Sequence, residues 1–206
     1  MTGPRRASEE STTHGLEMPE RHGYFLRMHR LILFIFILAL AVAPWPTATS
    51  AAERATPKLI GTFKDWDAFR YTERGQPVCF VLGRPKSSKA YRNGKRVRKI
   101  RRGEVYALVT HRPAAKAHNV VSITTGYDYR KGSTVDVKIG KRRFEMFTAG
   151  DTAWARDEVD GELVKAMRKG REMLVTGVSG RGTETRDRYS LLGFTAAHKA
   201  ITDACK

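Results

Sequence analysis

The chain has 206 residues, with 38 Lys and Arg against 21 Asp and Glu, a formal net charge of +17 at pH 7. So basic a balance draws a protein toward anionic partners and says nothing about fold. No internal repeat or low-complexity linker divides the sequence, which excludes a repeat array and points to one domain.

The first patterned element is the apolar run Leu31 to Ala43, behind Met28-His29-Arg30 and ahead of Pro44 and a small-residue stretch from Thr47 to Ala52. A bilayer-spanning helix needs roughly 20 apolar residues, so this run is too short to cross. A basic start, a short apolar core and a small-residue exit describe a secretory signal peptide over 28–52. An uncleaved signal anchor is the alternative. Residues 1–27 are polar and unpatterned and read as an upstream extension. Removing 1–52, with five basic and four acidic groups, leaves 154 residues with 33 basic and 17 acidic, a formal +16. That length can bury a real core. Export directs the protein to the periplasm or the exterior, with no transmembrane span after cleavage.

Most of 53–206 reads as short strands. Asp65 to Tyr71 carries Trp66 and Phe69, and Val78 to Gly83 is apolar on both faces, as an interior strand requires. Next comes a basic segment with ten cations and no acid: Arg84, Lys86, Lys89, Arg92, Lys95, Arg96, Arg98, Lys99, Arg101 and Arg102. Such density of like charge resists packing, so a solvated loop or hairpin turning at Asn93-Gly94 is expected. It is either an inert solvated face or a contact for a polyanion. Tyr91 is its only aromatic, against a stacking platform for single-stranded nucleic acid, and nothing in it would read a base sequence.

Strands follow at 104–111, 119–125, 134–139, 142–148, 172–179 and 185–191. Val135, Val137 and Ile139 alternate with Asp136 and Lys138, the period of a half-exposed strand. Leu163, Ala166 and Met167 mark a helix ending before Gly170, and Phe194, His198 and Ile201 mark a second over 194–204. Cys205 continues that second stripe. In an oxidising compartment Cys79 and Cys205 bond to each other, the alternative being two separate buried thiols. A loop this long is worth on the order of 4–5 kcal/mol in the chain-entropy model. Many short strands with glycine turns and two short helices predict a mainly β, single-domain β-sandwich with two peripheral helices.

Candidates for chemistry are weak. Gly177-Val178-Ser179-Gly180-Arg181 lacks the last glycine of a nucleophile elbow and lies between strands, so it reads as a hairpin. The glycines at 177, 180 and 182 open no helix and read as turn residues. His111 and His118 lack a third ligand at useful spacing, and His198 reads as a hydrogen-bonded core imidazole. Asp151, Asp157, Glu158 and Asp160 complement the first helix's N-terminal dipole. No catalytic residue, metal set or cofactor emerges.

The sequence resembles the invasion-associated locus B family of secreted or periplasmic bacterial proteins. The resemblance is carried by Trp66, Cys79-Phe80-Val81, Gly126-Tyr127, Gly132-Ser133, Phe144-x-x-Phe147 and Asp151-Thr152-Ala153-Trp154-Ala155. It continues through Ala166-Met167-x-x-Gly170, Gly177-x-Ser179-x-x-Gly182-Thr183, Asp187, Tyr189-Ser190-Leu191-x-Gly193-Phe194-Thr195-Ala196-Ala197 and Cys205. It implies a β-sandwich behind a signal peptide, without catalytic machinery. Its motif residues read as structural: Leu191, Phe194 and Ala197 seat the last helix, and Trp154 fills the gap under the first. The expectation is a non-enzymatic envelope or surface protein that binds an anionic envelope polymer or membrane surface through the basic segment. A nucleic-acid binder, or an enzyme with an unrecognised site, are the alternatives.

Overall fold

A computed structural model describes residues 56–206. The signal segment 28–52, its cleavage site and the extension 1–27 lie outside the described residues. Twelve strands and two α-helices follow in chain order: β1 (Lys58–Phe63), β2 (Trp66–Glu73), β3 (Gln76–Gly83), β4 (Ser87–Arg92), β5 (Lys95–Val97), β6 (Tyr106–Arg112), β7 (Ala117–Thr124), β8 (Thr134–Ile139), β9 (Arg142–Ala149), β10 (Thr152–Trp154), α1 (Asp157–Lys169), β11 (Glu172–Val178), β12 (Glu184–Ser190) and α2 (Phe194–Ala204).

The strands form one antiparallel sheet in the order β1-β2-β3-β6-β7-β10-β9-β8-β11-β12-β4-β5. In a flat sheet β2 and β12 would lie about 38 Å apart, at about 4.8 Å per strand. Yet the Trp66 indole donates to the Ser190 carbonyl at 2.9 Å, and the Asp65 amide to the Leu192 carbonyl at 3.3 Å. The sheet therefore folds over on itself, and its two layers enclose one hydrophobic cluster: the predicted mainly β sandwich.

Alternation chooses the inner face. Val135, Val137 and Ile139 of β8 are buried, as are Met173 and Val175 of β11 and Tyr189 of β12. In α1 the stripe Leu163, Val164, Ala166 and Met167 is buried; in α2 it is Phe194, Ala197 and Ile201. Phe194 meets Trp66 edge to face at 4.9 Å, a favourable arrangement for ring quadrupoles. Cys205 is bonded to Cys79 of β3, with the Cα atoms 6.0 Å apart. That bond and the Trp66–Phe194 contact hold α2 against β2 and β3.

Three expectations change. Trp154 is half-buried at the end of β10, outside the core cluster, and the fully buried indole is Trp66. Burial of Leu163, Ala166 and Met167 against neighbouring strands already fills the space under α1. Of the glycines at 177, 180 and 182, only Gly182 has a left-handed backbone, at φ +77°. Gly177 sits mid-strand in β11 because a Cβ there would lie 2.6 Å from the Tyr129 ring. Asp157, Glu158 and Asp160 do stand in the first turn of α1, but Asp160 is buried and does not cap it: its carboxylate accepts the Val121 amide of β7 at 2.8 Å. The helix leaves its first amides without a side-chain cap.

Candidate functional site

The basic segment is structured through its first half. Asn93 and Gly94 both have positive φ, +50° and +73°, as a type I′ turn requires. They join β4 to β5, and β4 pairs with β12 from Ser87↔Arg188 to Tyr91↔Glu184. Apolar residues do not drive β4, since Ala90 alone of its side chains is buried. Backbone pairing with β12 and stacking across it do, as when the Arg186 guanidinium sits 4.6 Å from the centre of the Tyr91 ring.

The ten cations do not share one environment. Arg102 packs inward, which like-charge crowding argued against. Its guanidinium forks onto Asp187 of β12 with contacts of 2.9 and 2.6 Å and also donates to the Ser88 hydroxyl at 2.6 Å. Asp187 is 1% exposed. Burial opposes the charge on Arg102, but hydrogen bonding and attraction to Asp187 outweigh it, so its pKa is raised. Lys86 pairs with Asp65. Withdrawing Lys86 and Arg102 from the ten leaves eight cations with no acidic partner among the described residues. Of these, Arg84, Lys89, Lys95, Arg96, Arg98, Lys99 and Arg101 are exposed to solvent, as is Arg92, whose guanidinium nevertheless donates to the Thr183 hydroxyl at 2.9 Å.

Below the segment opens a cavity of about 230 Å³. Arg92, Lys99 and Arg101 reach it from the segment, and Arg181 from the β11–β12 turn. Ile100 and the hydroxyl-bearing residues Tyr127, Ser179, Thr183 and Thr185 complete its lining. Arg181 and these hydroxyls escaped sequence reasoning because they lie 25 or more positions from the basic run. The one signal was Arg181 in the place of an elbow glycine. Ser179 serves the turn: its Oγ accepts the Thr183 amide at 3.1 Å.

The histidines form a second cluster. His111 lies 5.5 Å from His118 and 5.3 Å from His198, measured between ring centres. The Asn119 amide donates to His111 Nδ1 at 3.0 Å, so Nε2 carries the proton and faces the Thr202 hydroxyl at 3.2 Å. His198 Nε2 meets Asn119 Oδ1 at 2.7 Å. Burial, and repulsion from His198 and His118, push the His111 imidazole down to about 4. His111 and His198, both lowered chiefly by burial, thus join β6 and β7 to α2. No group of three or more His, Cys, Asp or Glu suited to a metal occurs among the described residues. Trp66, Leu191, Gly193 and Phe194 surround the start of α2, where the Phe194 ring lies 5.8 Å from that of His198 and so borders the histidine cluster.

The fold defines the chain as a mainly β protein with two helices seated on a folded antiparallel sheet. A profile described as Invasion associated locus B (IalB) protein matches residues 72–202. The chain belongs to the IalB family. The crystal structure of invasion associated protein B from Bartonella henselae is similar to it, at 16% sequence identity and a TM-score of 0.46, covering 72% of this chain and 96% of that one. No curated protein sequence matches the chain.

Proposed function

We propose that this IalB-family protein is exported and non-enzymatic, and that it attaches to anionic envelope or host-surface polymers through the basic hairpin and the segment after it. The observation that carries the reading is the set of eight cations without acidic partners, spread over 84–101 and held in place by the buried Arg102–Asp187 pair. Exposed cations near an anionic surface contribute on the order of 1 kcal/mol each and weaken together with salt. Two cysteines joined in a disulfide suit an oxidising compartment. The apolar run Leu31 to Ala43 supplies the export route. Support for a non-enzymatic role comes from the serine of the elbow-like motif, which is built into the β11–β12 turn, its Oγ accepting the Thr183 amide.

The test is retention on heparin and on lipopolysaccharide over a salt gradient. Lys95→Gln, Arg96→Gln and Arg98→Gln combined should release the protein at clearly lower salt, with an affinity loss of roughly 3 kcal/mol at low ionic strength. Unchanged retention would overturn the reading. Arg102 is left intact, because its partner is already inside the protein.

A further inference from the structure

Deepening that reading and resting on it, we propose that the cavity below the basic segment is a specific site for a phosphate monoester group. Its lining is lopsided. Four cations converge from three separate stretches of chain, Arg92 at the end of β4, Lys99 and Arg101 after β5, and Arg181 in the β11–β12 turn, with no carboxylate among them. Four like charges around one hollow repel one another unless an anion enters.

The hydroxyls point the same way. Thr183 Oγ1 accepts from both Nε and Nη2 of Arg92, at 3.3 and 2.9 Å, so its own hydrogen must be donated elsewhere. Ser179 Oγ already accepts the Thr183 amide and likewise has a hydrogen to give. Tyr127 and Thr185 share a single 2.6 Å contact in which one donates. The Ser179 and Thr183 hydrogens have no acceptor among the described residues, while Thr125 also bonds the Tyr127 hydroxyl. The lining thus offers donors beside the positive charges, and what is missing is an acceptor with several oxygens.

Size and charge narrow the ligand. About 230 Å³ falls below the roughly 300–1,000 Å³ of pockets for drug-sized molecules, so one compact group enters, not a polymer chain. A phosphate monoester brings about two negative charges at neutral pH and three terminal oxygens. Guanidinium forks bind it through paired, charge-assisted hydrogen bonds. A carboxylate would bring half the charge and fewer acceptors. The attachment surface then has a selective element at its base, with Lys95, Arg96 and Arg98 outside the cavity supplying unspecific attraction.

The test titrates the full chain with inorganic phosphate by calorimetry at constant ionic strength. Vesicles of matched surface charge, containing either phosphatidic acid (a monoester) or phosphatidylglycerol (a diester), form the second arm. Arg101→Gln with Arg181→Gln should weaken phosphate roughly a hundredfold, about tenfold for each charge-assisted contact. Thr183→Val, which alters no charge, should weaken it roughly tenfold. The Lys95→Gln, Arg96→Gln, Arg98→Gln protein should bind phosphate as the parent does while losing heparin. Preference for phosphatidic acid would identify a lipid source of the group; phosphate binding without that preference would identify a soluble monoester, and both outcomes uphold the site. Absence of phosphate binding in the parent chain, or equal weakening by both sets of charge variants, would overturn it. Heparin retention that survives the loss of phosphate binding leaves the attachment reading standing alone. Phosphate binding without heparin retention does the reverse.

Discussion

Two buried titratable side chains on either side of β7 respond to acid with opposite sign. Asp160 is raised to about 6, chiefly by burial, against the lowering effect of the Val121 amide. Its folded pKa exceeds its unfolded value, so the native state binds this proton more tightly, and Asp160 costs stability above about pH 6. His111 falls from an ordinary 6.5 to about 4. Its contribution is complete above pH 6.5 and is lost as pH falls toward 4. Between pH 6 and 4 the two effects offset one another and flatten the profile. Asp160→Asn keeps an oxygen for the Val121 amide and removes one of the two titrations. The variant should therefore lose on the order of 1–2 kcal/mol more than the parent between pH 7 and pH 5, the lowered His111 and His198 titrating alike in both. Urea midpoints at the two pH values measure this, and matching profiles of parent and variant would show that the fold does not raise Asp160.

At the scale of elements, α2 is fastened at both ends. Gly193 precedes it at φ +89°, and a Cβ there would collide with the Phe63 carbonyl, so only glycine lets the chain enter the helix here. At the far end Cys205 is bonded to Cys79. Replacing both cysteines with alanine should lower stability by on the order of 2–5 kcal/mol. Amide exchange should accelerate first in α2, because the buried stripe Phe194, Ala197 and Ile201 and the His198–Asn119 and Thr202–His111 contacts then hold the helix without a covalent tie; uniform exchange across the domain would argue against α2 as a separately fastened unit. The position of Cys205 on the helical stripe was legible in the sequence, as were the turn at Asn93-Gly94 and the alternation of β8. The hairpin β4–β5 was one of two readings of the basic segment, whereas β1, β10 and the pairing of β4 with β12 were not legible. Ser87–Arg92 carries no apolar alternation and becomes a strand because β12, far along the chain, offers it an edge. At three residues, β10 is defined only by lying between β7 and β9.

For the whole molecule, the question is how so basic a segment stays on the domain at all. The density of cations was visible in the sequence, but the acid that anchors them was not, since Asp187 lies 85 positions from Arg102 and appeared only as a family motif residue. Counting charge along the chain treats all ten cations alike; folding turns Arg102 into a buried pair, ties Lys86 to Asp65 and leaves eight without acidic partners among the described residues. A buried pair of this kind is costly to break and cheap to replace. Removing one partner strands a charge, whereas two apolar residues of similar volume restore packing. Asp187→Asn should therefore destabilise the domain by about 3–5 kcal/mol, while Arg102→Met with Asp187→Leu should recover most of that loss. The two proteins should also differ in binding. With the apolar pair the segment still covers β12 and heparin retention persists, whereas Asp187→Asn leaves Arg102 buried without its counter-charge and loosens the segment. Denaturant midpoints and heparin elution measured on the same two proteins check both halves. If the apolar pair proved no more stable than the single variant, the Arg102–Asp187 contact would be more than an anchor, and the segment's place on the domain would depend on charge itself.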